Sequence, residues 1–442
     1  MRKVFVIALL AALARIDVLA QQQWTLQECI RYAIEHNVQI RQQDNQRRQQ
    51  ELQLSTARNS RLPSLDASIG ENFSFGRGLT AENTYTNTNT MQTSFSVGTS
   101  VPLFTGFQIP NTIKLNQLNL EAATQDLQKA QNDVSMQVAQ GYVQILYDME
   151  ISDVARRQIG IDSLQVERLR VMLANGKVSQ AELSQQEATL AQSRLTATQA
   201  DNQLQLSLLA LSQLLELPSP EGFTIVRPSV EMVDAMGLIA TTSPDAIYAE
   251  ALAVKPEVAA EQLRLRGAEY NIKIAQAGYY PQLSLSAGLG TNYYKTSGFS
   301  ADGFGQQLKN NFSQYVGLNL SIPIFNRFST RNSVRSARIS QETQQLQLDY
   351  VKKQLYKEIQ QVYYNAVAAQ AKLESSRQAA RAGEDAFRLM EAKYANGKAN
   401  MTEFNEAKTN YLRAASDLVQ ARYECLYQTA LLGFYRGKEL KF

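Results

Sequence analysis

Side chains able to do chemistry are few in this chain. Its 442 residues include one histidine, His36, and two cysteines, Cys29 and Cys425. That inventory excludes a Cys/His zinc site, a CxxC redox pair and any triad built on histidine. No convergent acid–base or nucleophile set is present, so neither an enzyme nor a cofactor or metal site is expected. The remaining candidates are acids beside two similar turns. Asn175-Gly176-Lys177 leads through Ser179 to Glu182, and Asn396-Gly397-Lys398 leads through Asn400 to Glu403. In each, glycine supplies the positive φ that ends one helix. Ser179 with Glu182, and Asn400 with Glu403, then fit a capping box that starts the next. Capping does not explain Glu406. Carboxylates gathered in a ring select and hold cations and can gate a passage through paired contacts. Such chemistry requires elements that bring several acids to one place.

Those elements come in duplicate. Residues 57–65 (ARNSRLPSL) match 275–283 (AQAGYYPQL), with Pro63 and Pro281 separated by 218. Val101-Pro102-Leu103-Phe104 matches Ile322-Pro323-Ile324-Phe325, and Ala174-Asn175-Gly176-Lys177 matches Ala395-Asn396-Gly397-Lys398, both at an offset of 221. Each half holds two alternating segments. Leu65, Ala67, Ile69, Phe73 and Phe75 share one parity, opposite Ser64, Asp66, Ser68, Gly70, Asn72 and Ser74. Phe95, Val97, Val101 and Leu103 alternate with serines and Gly98. In the second half Leu283, Leu285, Ala287 and Leu289, then Val316, Leu318, Leu320 and Ile322, repeat the pattern. Period two over about ten residues, with Gly and Ser on the other parity, predicts membrane strands with an apolar face to lipid and a small polar face to a lumen. Phe73, Phe75, Phe95, Tyr293, Tyr294 and Phe312 stand where an interfacial aromatic girdle would. The polar stretches Arg77 to Gln92 and Lys295 to Asn311 are expected to be loops.

The rest is helical. Apolar residues recur at spacings of three and four from about Gln108 to Ala174, and again from about Ser329 to Ala395. At about 1.5 Å per residue each helix would run about 100 Å, which calls for coiled-coil packing. The return helices carry the matching seam. Leu183, Leu190, Ala197, Leu204 and Leu211 are spaced by seven, as are Phe404, Tyr411, Leu418, Cys425 and Leu432. Such a repeat implies a supercoiled seam. Ala407, Ala414 and Ala421 leave room for close helix approach. Thr25 with Glu28 forms a capping box, and Ser243-Pro244 pairs an N-cap with proline at the first helical position.

The predicted organisation is a secretory signal at 1–20, helices at 21–62, a strand pair at 63–104, a helical hairpin at 105–216 and a linker at 217–243. Helices at 244–280, strands at 281–325, a second hairpin at 326–434 and a tail at 435–442 complete it. The signal rests on Arg2 and Lys3, the apolar run Val4 to Ala14 and a small-residue cleavage site ending at Ala20. Its removal would take the formal charge from +3 to about +1, too little for long-range attraction to nucleic acid. Four strands cannot close a barrel, since about eight is the smallest workable number, and lipid does not tolerate open edges. Oligomerisation follows, as a dimer with eight strands or a trimer with twelve. The Gly- and Ser-lined parity favours the open lumen of the trimer.

Helix, strand pair, long helix, Asn-Gly turn and return helix, twice over, resembles the TolC family of outer-membrane efflux ducts. Trp24-Thr25-Leu26-Gln27-Glu28-Cys29-Ile30, the Pro63 and Pro281 strand starts and the two glycine tips carry the resemblance. It implies an α+β membrane protein, a homotrimer whose twelve-stranded barrel continues as a helical tunnel through the periplasm. Its implied partners are a periplasmic membrane-fusion adaptor and an inner-membrane transporter. It puts entrance carboxylates at Glu403 and Glu406, a gating tyrosine at Tyr394 and an acidic partner at Glu182. The adaptor-docking pattern falls on Gly176, Leu183, Gly397 and Phe404, of which Leu183 and Phe404 also serve the seam. The family's gating arginine falls on Ala399, so that part of the latch is absent or relocated. The alternative is a trimeric outer-membrane adhesin, but that class keeps its four strands together at the C-terminus. A soluble coiled-coil scaffold is a third reading. Cys425 replaces a seam leucine, which makes it a small core residue, with pairing to Cys29 left open. His36 is expected to be structural.

Overall fold

A computed structural model describes residues 23–79, 83–228 and 243–441. The expected signal sequence and part of the expected linker lie outside the described residues. The first half comprises β1 (Gln23–Trp24), α1 (Leu26–His36), α2 (Val38–Asn59), β2 (Ser64–Leu79), β3 (Tyr85–Thr105), α3 (Gln108–Ala174) and α4 (Gln180–Leu214). The second comprises β4 (Thr224–Ile225), α5 (Pro244–Val254), α6 (Pro256–Gln276), β5 (Gln282–Thr296), α7 (Phe304–Asn310), β6 (Ser313–Ser321), α8 (Ser329–Ala395) and α9 (Met401–Tyr435). They divide into two compact units. One holds the chain up to Asp44 with 125–258 and 351–442, the other 45–124 with 259–350.

In the second of these units, four strands form one antiparallel sheet in the order β2-β3-β5-β6. Pairing puts like with like. Ala67, Val97 and Leu289 form one row across three strands, and Val101, Leu285 and Leu318 form another. On the opposite face Ser64, Ser100, Ser286 and Gly317 line up, and Ser68 and Ser96 share a hydrogen bond of 2.7 Å. The apolar face is bare in the single chain: Leu65, Ile69 and Val316 are 76%, 76% and 77% exposed. On the small-residue face Tyr315 lies across Gly288, where an added Cβ would sit 2.6 Å from its ring.

Both loop expectations are corrected. The stretch Arg77 to Gln92 is mostly ladder, with Phe75 opposite Asn89 and Gly78 opposite Thr86. Its Thr and Tyr residues favour extended backbone, and backbone pairing does not require apolar side chains. The stretch Lys295 to Asn311 contains α7. Gln307 secures that helix by accepting from Tyr294 N at 2.9 Å and donating to Tyr294 O at 2.9 Å. β6 ends at Ser321, before the expected alternation does, because Pro323 has no N–H to offer a ladder.

The repeat appears in element lengths. α3 and α8 each have 67 residues, and α4 and α9 each have 35. Leu26, Cys29, Val138, Ile145, Leu211 and Leu426 belong to one buried core. β1 and β4 add a short parallel pairing, Trp24 opposite Ile225, which the sequence patterns do not announce. The Tyr142 hydroxyl seals it by donating to Val226 O at 2.6 Å. The Thr25–Glu28 capping box is complete, and Ser243 caps α5 with Pro244 at its start. The expected tail is partly core: Leu440 is buried and its carbonyl accepts from Gln27 Nε2 at 3.3 Å.

Candidate functional site at the hairpin tips

The helices leading to the tips are zipped by apolar seams with polar rungs between them. Leu183, Leu190, Ala197 and Leu211 are buried along α4, as are Phe404, Cys425 and Leu432 along α9. Gly383 lets α8 approach α9, its would-be Cβ lying 3.4 Å from Tyr411 Cα and 3.7 Å from Ala414 Cβ. Between α3 and α4, Ser207 donates to Asp148, and Ser152 donates to Asp201 at 2.5 Å. Of these the Ser207–Asp148 pair is buried, and a buried polar pair fits one register and leaves unsatisfied groups in any other.

Both turns close alike. Gly176 and Gly397 have φ of +67°. Gly176 N donates to Leu173 O and Lys177 N to Met172 O, each at 2.9 Å. Gly397 N donates to Tyr394 O at 3.1 Å, and Lys398 N to Lys393 O at 2.9 Å. This pattern satisfies two helix-end carbonyls and leaves the last one open. The following caps differ. Asn400 and Glu403 form the full expected box, Glu403 Oε2 accepting from Asn400 N at 2.9 Å. Ser179 accepts from Glu182 N at 3.2 Å, but the Glu182 carboxylate does not return the bond.

Each expected site residue lies at these tips. Glu182, Glu403 and Glu406 are exposed, as are Gly176 and Gly397. Leu183 and Phe404 are buried at 7% and 2% exposure, so they shape the tips from within. Tyr394 is half-buried and packs on Phe404 with ring centres 5.0 Å apart. Phe404 packs on Phe387 at 5.6 Å, and Phe387 stacks on Tyr411 at 5.6 Å. Burial raises the Tyr394 hydroxyl above its ordinary pKa, and Glu182 adds to the rise while Gln165 and Arg168 oppose it. Both cysteines are buried and neither is in a disulfide; burial pushes the Cys29 thiol up to about 12. His36 stacks on Tyr32 at 4.0 Å, its Nδ1 3.0 Å from Tyr32 O, the structural role expected.

The most strongly held polar contacts near the tips join the two hairpins, and the sequence reading missed them. Asp162 of α3 is fully buried. Its carboxylate meets Lys408 Nζ of α9 at 2.5 Å and accepts from Gln186 at 3.2 Å, Ser193 at 2.5 Å and Gln158 at 2.6 Å. Six residues on, Arg168 Nη2 donates to Ala395 O at 3.0 Å, and its guanidinium lies 5.5 Å from the centre of the Tyr394 ring. Met401 packs against the α3–α4 core of Val166, Leu169, Leu183 and Leu190. Two signals could have found these residues. Asp162 interrupts the apolar series Ala155, Ile159, Val166, Leu169 and Leu173. The repeat also breaks at each site, with Gly383, Leu389 and Glu187 standing where Asp162, Arg168 and Lys408 have their counterparts. Among the described residues no cluster of three or more His, Cys, Asp or Glu could hold a metal ion.

Comparison with known proteins bears on this architecture. The family model described as Outer membrane efflux protein matches residues 29–216 and 247–436. Over 274 residues the chain is 26% identical to the pyoverdine export outer membrane protein OpmQ of Pseudomonas aeruginosa, covering 60% of this chain and 54% of that protein. Over 162 residues it is 26% identical to outer membrane protein TolC of Escherichia coli, covering 36% and 33%. The chain spans about half the length of the curated relatives it matches first. Among solved structures, CusC aligns with a TM-score of 0.78 at 17% identity, covering 94% of this chain and 92% of that one. VceC of Vibrio cholerae aligns at 0.76 with 18% identity, covering 94% and 97%. These likenesses are of fold.

Proposed function

The chain belongs to the outer membrane efflux protein family, and on that premise we propose that it is the exit duct of a tripartite efflux or type I secretion system. The family consists of outer-membrane channel proteins and not of enzymes, and the place of this chain is the outer membrane, reaching into the periplasm. In the proposed role it conducts cargo passively, and the energy comes from an inner-membrane transporter coupled through a periplasmic adaptor.

One observation carries the reading: a four-stranded sheet with one bare apolar face, one face of small residues and two unpaired edges, β2 and β6. No described helix is long and apolar enough to cross a membrane, which leaves the sheet as the element suited to lipid. Edges in lipid must be paired, so copies must join β6 of one to β2 of the next. Three copies give twelve strands, enough for an open lumen, whereas eight strands would fill it with side chains. Under the same symmetry the tips come together at the periplasmic entrance. Glu403, Glu406 and Glu182 then form acidic rings, with Tyr394 behind them. Gly176 and Gly397, supported from within by Leu183 and Phe404, present the surface that an adaptor docks on.

The acidic rings are tested by divalent-cation block of single-channel current in planar bilayers. Glu406→Ala is the cleaner variant, because Glu403 also caps α9. Glu406→Ala, alone or with Glu403→Ala, should weaken the block. Unchanged block would remove these acids from the pore.

A further inference from the structure

We propose that the outer end of the sheet's apolar face is a binding site for a phosphorylated glycolipid of the outer leaflet, with an acyl chain lying in a groove of the sheet and the phosphates held by Lys295 and Lys309. The inference rests on the duct reading, which turns this face to lipid.

At that end α7 stands in for a strand. β6 starts at Ser313, paired with Gly290, so the β5 edge beyond Gly290 has no ladder on that side. Gln307 of α7 answers both backbone groups of Tyr294 there, and Asn311 Nδ2 donates to Asn292 O at 2.8 Å. Thr291 Oγ1 donates to Leu308 O at 2.7 Å. The Phe304 ring packs with its centre 5.2 Å from that of Tyr293 and 6.4 Å from that of Phe95. Thr291, Tyr293 and Phe95 share the parity of Leu289 and Val97, so α7 sits on the apolar face and not on the face of small residues. Its place is fixed before any ligand arrives.

The same face is hollow nearer the helices. A groove of about 570 Å³ has the small side chains of Thr99 and Ala287 as its floor and Leu65, Val97, Leu289 and Val316 as its walls. An apolar groove facing lipid suits a hydrocarbon chain. From Leu283 to Tyr293 the strand climbs about 25 Å at the tilt of barrel strands, the height of an apolar band. Lys295, of the same parity, stands just beyond that band, and Lys309 lies on α7. Both are exposed, and neither has an ionic partner among the described residues. Glu71, the one acid of this parity among the described strand residues, accepts from Thr93 Oγ1 at 2.5 Å. Positive charge at headgroup depth attracts anionic lipid. Two cations on separate elements suit a headgroup with more than one phosphate, which favours a phosphorylated glycolipid over a glycerophospholipid.

The test adds bis-phosphorylated lipid A to the full chain in detergent and reads bound lipid by native mass spectrometry. Lys295→Gln with Lys309→Gln should weaken binding about thirty-fold, and Lys295→Arg with Lys309→Arg should keep it. Ala287→Trp fills the groove with both lysines in place and should weaken binding at least about ten-fold. If Ala287→Trp does not assemble, Ala287→Leu carries the same measurement. Unchanged binding in the double glutamine variant overturns the phosphate contacts, and unchanged binding in the groove variant overturns the seat of the acyl chain. Phosphatidylglycerol bound as tightly as lipid A overturns the glycolipid, and displacement of lipid A by an equal concentration of inorganic phosphate overturns the lipid site. A wild-type chain that forms no pore in planar bilayers overturns the duct reading itself, whatever it binds in detergent.

Discussion

Lys408 carries its charge where water does not reach, and this shapes what a substitution there does. Lys408→Met would take from the buried Asp162 carboxylate its ionic partner and leave it three neutral donors, a loss on the order of 3–5 kcal/mol. The double change Asp162→Leu with Lys408→Met removes both charges and should restore most of that loss. The midpoint of heat-induced unfolding in detergent reads the difference: a marked fall for the single variant and a small one for the double. Equal falls would mean that shape, not charge, holds this site. At this scale the exposed acids were legible. Glu403 caps α9 as its spacing predicts, and Glu406 stands free of the cap. Asp162, Arg168 and Lys408 were not read, because their significance arises only where α3 meets α4, α8 and α9. A charge on an apolar stripe shows that something is buried with it, but not which residue on a distant helix answers it.

Among the elements, glycine gives predictions of opposite sign. Gly397 sits at φ +67°, where an added Cβ costs about 1–2 kcal/mol, so Gly397→Ala should lower the unfolding midpoint. Gly160 is inside α3 with nothing within 4 Å of its would-be Cβ. Gly160→Ala should raise the midpoint, by up to about 1 kcal/mol of stability. In the sheet, Gly288→Ile drives a branched side chain into the Tyr315 ring, 2.6 Å from where its Cβ must go. Assembled, heat-resistant oligomer on gels should fall sharply for that variant. It should persist for Gly317→Ala, whose Cβ meets only Ser286 Oγ at 3.7 Å. The helix bounds were legible because they are set locally: Gly176 and Gly397 stop α3 and α8, and Ser179 and Asn400 start their successors. The strand bounds were not. The ladder beyond Phe75 sets Gly76, Arg77 and Gly78 against Thr88, Asn87 and Thr86, residues whose polarity reads as loop while backbone pairing makes them strand. The pairing of β1 with β4 joins segments about two hundred residues apart, and two residues carry too little pattern to find each other on paper.

For the whole molecule, the decisive fact is that the sheet is incomplete. β2 and β6 each present an unpaired edge, and Leu65, Ile69, Val316 and Leu318 present an apolar face with nothing on it. Water is a poor partner for that face and lipid a poor partner for those edges. Lipid on the face and further copies on the edges satisfy both. The same demand was visible in the sequence, in four alternating segments and a seven-residue seam, because period two and period seven survive without any knowledge of contacts. Single-particle electron cryomicroscopy of the full chain purified from outer membranes tests the central claim most directly. The account predicts a particle with threefold symmetry, β6 of each chain paired to β2 of the next in a closed twelve-stranded barrel with an open lumen. It also predicts that Glu403 and Glu406 of the three chains face one another around the threefold axis. A closed barrel of two chains, or a single chain with both sheet edges free in lipid, would contradict it.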